Sequence, residues 1–85
     1  MKNTILHYNV ITKKEGKDFI AYVPTLGISD FGKTLELSQK HVKAAITCHL
    51  EGLKKASEEI PAPDTFGYFM NQISIPFTGK FNFAS

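Results

Sequence analysis

Apolar and polar residues alternate along the first dozen positions. Leu6, Tyr8 and Val10 share one side of an extended chain, and His7 and Asn9 share the other. A period of two marks a strand with one buried face, so the pattern predicts a strand over residues 3–12. Ile5 and Ile11 make its second face partly apolar as well. The charged, glycine-bearing stretch Lys13-Lys14-Glu15-Gly16-Lys17-Asp18 then predicts a hairpin loop. Residues 19–23 are aromatic and β-branched, which predicts a second strand. Pro24 should end it, because proline has no amide to give a ladder. Residues 28–31 predict a short third strand, closed by Gly32.

The period changes after Thr34. Leu35, Val42, Ala45, Ile46, Leu50, Leu53 and Ala56 recur at helical spacing, with Lys40, Lys43, Glu51 and Lys54 mostly on the other side. Thr34 is the expected N-cap, and Glu36 suits the positive end of the helix dipole. Leu37 stands where the glutamate of a reciprocal capping box would be. The helix should run from about residue 35 to about residue 57, and Pro61 and Pro63 forbid its continuation. Residues 72–77 predict a fourth strand, with Pro76 suggesting an edge position. Thr78-Gly79 should turn, and Phe81 and Phe83 alternate beyond it.

These elements predict an α+β fold: a small antiparallel sheet in the order strand, strand, strand, helix, strand, with one long helix on one face. Eighty-five residues suffice for one domain. Within it, residues 1–64 should form the core. Residues 65–85 should complete the sheet or form an oligomer interface. Six of the ten aromatic residues lie from Phe66 onward.

Composition narrows the function. The net charge is +2, too mild for a dedicated polyanion binder. All ten basic residues are lysines. Arginine is the side chain suited to bidentate reading of phosphate and guanine, so its absence argues against sequence-specific DNA readout. The single cysteine, Cys48, permits neither an internal disulfide nor a thiolate cluster, and reads as a small buried hydrophobe. His41 and His49 are two helical turns apart, about 12 Å, too far to share one metal. The glycines at 27 and 32 precede a helix but match no phosphate-binding fingerprint, so they read as backbone devices. No cofactor is expected. No apolar run approaches the length of a membrane span, and the chain reads as cytoplasmic.

Several of these features occur together in a known order. Tyr8 and Val10 precede Gly16. Ala21-Tyr22-Val23-Pro24, Leu26-Gly27 and Gly32-Lys33-Thr34-Leu35-Glu36 follow, then Ala44-Ala45-Ile46 and Pro61-Ala62-Pro63. Over residues 5–64 this set resembles the HicB antitoxins. The resemblance implies a partly degraded RNase H-like domain that binds and neutralises a small mRNA-cleaving toxin, HicA. It makes Tyr8, Val10, Tyr22, Pro24, Leu26, Gly27, Gly32, Thr34 and Glu36 motif positions. The chain departs from the family pattern at Leu26-Gly27-Ile28-Ser29, which lacks its proline and cysteine, and at Glu36-Leu37-Ser38. Phe77-Thr78-Gly79-Lys80-Phe81-Asn82 resembles the lead into the family's ribbon-helix-helix. The sequence stops at Ser85, so DNA binding is not expected of this chain alone.

An active RNase H-type site needs a carboxylate on the first strand, and no acidic residue precedes Glu15. Glu15 and Asp18 read as solvated turn charges, and the chain is not expected to be an enzyme. The partner the resemblance implies is a HicA-like toxin, with Asp30, Glu36, Glu58 and Glu59 as candidates to oppose its basic charge. Phe77, Phe81 and Phe83 are candidates for a homodimer or higher-oligomer interface. The alternative is RNA binding by Tyr68, Phe69, Phe77, Lys80, Phe81 and Phe83, where aromatic rings would stack bases beside lysine.

Overall fold

The computed structural model of the chain describes residues 3–67 and 69–84. Its element order is β1 (Ile11–Glu15), β2 (Asp18–Val23), β3 (Ile28–Gly32) and α1 (Leu35–Lys55). The strands form one antiparallel sheet in the order β1-β2-β3. This is an α+β arrangement with one long helix against a small sheet, as the hydrophobic pattern predicted.

Two predicted strands differ. The first strand lies later than expected: pairing runs from Ile11↔Tyr22 to Glu15↔Asp18, so most of the predicted loop is strand. The turn shrinks to Gly16 and Lys17, with Gly16 at φ 62°, the left-handed geometry a two-residue hairpin requires at its first central position. Alternation over residues 3–10 is real, because Tyr8 and Val10 pack against the core, but those residues join no ladder. The predicted fourth strand over residues 72–77 likewise has no regular secondary structure and lies outside the sheet.

The sheet's register sorts its side chains. Val23 and Ile28, Ala21 with Thr12, and Phe19 with Gly32 occupy rows on the helix side. Ala21, Val23 and Val42 are the buried apolar centre, with Tyr8, Val10, Leu26, Ile28 and Ile46 packed around them. Gln39 on the helix reaches the Thr12 hydroxyl at 2.7 Å, fixing that face as the inner one.

Gly32 sets how closely the layers meet. A Cβ placed there would lie 2.5 Å from the Ser38 amide nitrogen and 2.8 Å from the Leu37 Cβ. Its φ is not positive, so close approach rather than turn geometry requires the glycine. Gly27, at φ 66°, is the position that needs left-handed backbone, closing the loop that follows Pro24. Its amide donates to the Val23 carbonyl at 2.8 Å.

The helix begins as expected. Thr34 is extended (φ −130°, ψ 162°), and its hydroxyl accepts from the Leu37 amide at 3.1 Å. Buried Ser38 donates its hydroxyl to the Leu35 carbonyl at 2.7 Å, so no polar atom is stranded by its burial. The other end was not anticipated. Ser57 N–H donates to Lys54 and Glu58 N–H to Leu53, the paired bonds of a Schellman cap. Ser57 sits at φ 58°, where glycine is usual.

The helix face is covered unevenly. Val42 is buried and Ala45, Ile46, Leu50 and Leu53 are half-buried, whereas Leu35 and Ala56 are exposed. Twenty-one residues make a helix about 31 Å long, whereas strands of five or six residues span about 20 Å. The helix therefore overhangs the sheet. Its second half leans instead on residues 4–10, across a groove of about 540 Å³ bordered by Leu6, Tyr8, Ile46 and Leu50.

Candidate functional site

Even-numbered residues of β2 point away from the helix, and with their cross-strand neighbours they form the open face of the sheet. One row is Ile11, Tyr22 and Ser29; the next is Lys13, Ile20 and Phe31; Glu15 and Asp18 close the hairpin end. Tyr22 is 44% exposed and Phe31 59%, and no helix or strand among the described residues covers them. Two shallow concavities of about 400 and 580 Å³ lie on this face and share Glu15, Ile20 and Ser29. The larger is bordered by Glu15, Asp18 and Asp30 around Ile20 and Phe31. Large apolar anchors inside a polar, partly acidic rim is the anatomy of a protein-docking surface.

The predicted acidic residues are not brought together as one patch. Asp30 lies in an inner row of β3, half-buried, and its Oδ1 accepts from the Phe31 amide at 2.8 Å. Glu36 is exposed in the first helical turn. Glu58 and Glu59 follow the opposite end of α1, so the length of the helix separates them from Glu36. Instead, the structure places Glu15 and Asp18 opposite each other beside the open face. Glu15 is also 3.8 Å from Lys13 in an exposed pair. The signal for this grouping was present in the hairpin, but reading it as a long loop put both residues off the sheet.

Other predicted positions take structural roles. Cys48 is exposed rather than buried, because the helix turns it away from the sheet. His41 Nδ1 lies 2.7 Å from the Phe31 carbonyl oxygen, which can only accept, so that nitrogen donates. Among the described residues, no three of His, Cys, Asp and Glu converge as metal ligands would. No helix among them is long and apolar enough to cross a membrane.

Asp64 is the residue that sequence reasoning missed. Its carboxylate accepts from the Asn9 amide and the Thr25 hydroxyl, each at 2.7 Å, and its own amide donates to the His7 carbonyl at 2.9 Å. Beside it, the Tyr8 hydroxyl donates to the Pro61 carbonyl at 2.6 Å, and the Asn9 side-chain amide donates to Phe66 at 2.8 Å. This clasp holds the chain after the helix against residues 7–9. The Asn9 amide, then the Thr25 hydroxyl, stabilise the Asp64 carboxylate and hold its pKa below the ordinary value. Burial, then the Asp64 charge, raise the Tyr8 pKa. The two prolines drew attention to where the helix stops, and concealed what the next residue ties together.

The aromatic tail clusters on itself. Phe77 and Phe81 meet edge-on at 5.1 Å, and Phe81 and Phe83 at 5.4 Å, around a turn at Gly79. The three candidate interface residues thus form one exposed aromatic knot. Phe69 is exposed, and Tyr68 lies outside the described residues.

Compared with known proteins, the chain matches no family model, no curated protein and no solved structure.

Proposed function

We propose that this chain is a protein-binding domain of the HicB antitoxin kind, and that it acts by covering a small basic mRNA-cleaving toxin of the HicA kind. The observation that carries this reading is the open face of the sheet, where Ile11, Tyr22 and Phe31 stand exposed around half-buried Ile20, beside Glu15 and Asp18. The aromatic side chains supply desolvated anchors, and the acids favour the approach of a basic partner. Inhibition on this reading is steric, and no group on the chain needs to react. The ordered motif residues, from Tyr8 and Val10 to the Pro61-Ala62-Pro63 break, support the family half of the reading.

The test is capture of the tagged chain's partners from its native lysate after nuclease treatment, followed by an mRNA-cleavage assay on whatever is released. The expected result is a small basic protein at equimolar level that cleaves mRNA once freed. Its retention should fall at least tenfold when Tyr22→Ser and Phe31→Ser are combined. Recovery of nuclease-sensitive RNA without such a protein would overturn the reading.

A further inference from the structure

The two free edges of the sheet are not equivalent. On β3, both backbone groups of Phe31 are engaged by side chains: the amide by Asp30 and the carbonyl by His41. That edge is blocked at Phe31. Among the described residues, no side chain caps the backbone of β1 in this way. Beside β1, residues 64–66 run along residues 7–9 and then diverge. A slot of about 510 Å³ opens between Asn9, Val10, Ile11 and Thr12 on one side and Gly67, Phe69 and Met70 on the other.

We propose that two copies of this chain exchange C-terminal segments, residues 72–77 of each adding as a strand to the free edge of β1 in the other. Residues 72–77 have the chemistry of an added strand. Ile73, Ile75 and Phe77 alternate and are 77%, 76% and 71% exposed. Along an extended chain, backbone groups point alternately to the two edges. Pairing through Ile73, Ile75 and Phe77 therefore leaves Pro76, which lacks an amide, on the outer edge where none is needed.

The register favours a second copy over the chain's own tail. Asp64 contacts His7 and Phe66 contacts Asn9, both at an offset of 57 residues. A self-paired tail continuing at that offset would set residues 68–72 beside β1, leaving Ile73, Ile75 and Phe77 beyond its end. The surface area points the same way. The chain exposes 7845 Å², roughly 2,800 Å² more than a compact monomer of 9.5 kDa. Each partner in a standard interface buries only about 800 Å². The Cα radius of gyration is 17.6 Å, against about 12 Å for a compact chain of this length. Residues 69–84 of the tail are exposed throughout, and exchange would cover part of that surface. Tyr22 and Phe31 take no part, so this proposal stands independently of the toxin-binding reading.

The experiment uses the full chain with Cys48→Ser, spin-labelled through Ser74→Cys and mixed with isotopically labelled Cys48→Ser chain. Only contacts between copies then broaden the observed amide signals. The expected result is a particle of twice 9.5 kDa in sedimentation, with broadening concentrated at Ile11–Glu15 and little at β3. Ile75→Asp, at an exposed position, should return the particle to monomer mass and abolish the broadening. A monomer at all concentrations would overturn the proposal. So would broadening of β1 only when label and isotope share one chain, or a dimer whose broadening falls on β3 or the helix.

Discussion

On the helix side of the sheet, Ala21, Val23 and Gly32 are small and fully covered; on the other side, Ile11, Tyr22 and Phe31 are large and exposed, with Ile20 half-buried between them. The same three strands carry both sets. The small set lets the helix approach until backbone nearly touches backbone, as at Gly32 and Ser38. Among the described residues, no helix or strand packs over the large set. A sheet normally buries one face and solvates the other with polar residues. Here the second face is neither buried nor fully polar, and that asymmetry separates what holds the fold from what the fold leaves exposed.

The sharpest way to break the inner face is Gly32→Ala. The added methyl would lie within 3 Å of helix backbone, which cannot move without shifting the first turn. The expected loss is about 2–3 kcal/mol, in the range of overpacked cores. It is read as a lower urea midpoint at unchanged slope. An alanine variant as stable as the parent would show that the two layers are not in fact so close.

The order and type of the central elements were legible because their signals are local. Pro24, Gly27, Thr34 and the 3.6-residue period each constrain a few neighbouring residues. The strand positions were less legible. The alternation of Leu6, Tyr8 and Val10 marks which side chains meet the core, but not whether a second strand lies within hydrogen-bonding reach. Ile11–Glu15 pairs despite two lysines because β2 offers a matching edge and Gly16 turns in two residues. Residues 72–77 have stronger strand character than β1, yet among the described residues no strand pairs with them. The role of Gly32 was partly legible, since a glycine before a helix flags tight geometry, but whether φ or a neighbour demanded it depends on the packed helix. The open face was hidden for a related reason: its members come from three strands and share no sequence interval.

The Asp64 clasp offers a milder and more local perturbation. The folded pKa of Asp64 lies below its ordinary value, so its contribution to stability is present above the unfolded value and lost as pH falls through the folded one. Acidification from about pH 4 downward should therefore loosen residues 61–66 from residues 7–9 before the sheet opens. Hydrogen exchange at the Asn9 and Asp64 amides reads this directly. Asp64→Asn should show fast exchange already at neutral pH, with no further change on acidification. Equal protection in the parent and the variant at neutral pH would mean the carboxylate does not hold the segment.

The smallest effect on folding should come from the face with the largest side chains. Tyr22→Ser combined with Phe31→Ser removes two aromatic rings, a change that costs several kcal/mol in a core. On the open face, neither ring has a cavity to leave behind, because solvent already occupies that side. The expected change in unfolding free energy is within about 0.5 kcal/mol, as for surface substitutions generally. Serine has less β preference than either ring, so the register rests on the backbone pairing of the three strands and on their buried inner face. A loss of 2 kcal/mol or more in the isolated chain would mean the rings support the sheet itself, and the contrast between the faces would collapse. An unchanged midpoint together with lost partner retention would separate the two faces: one makes the fold and the other is kept for a partner.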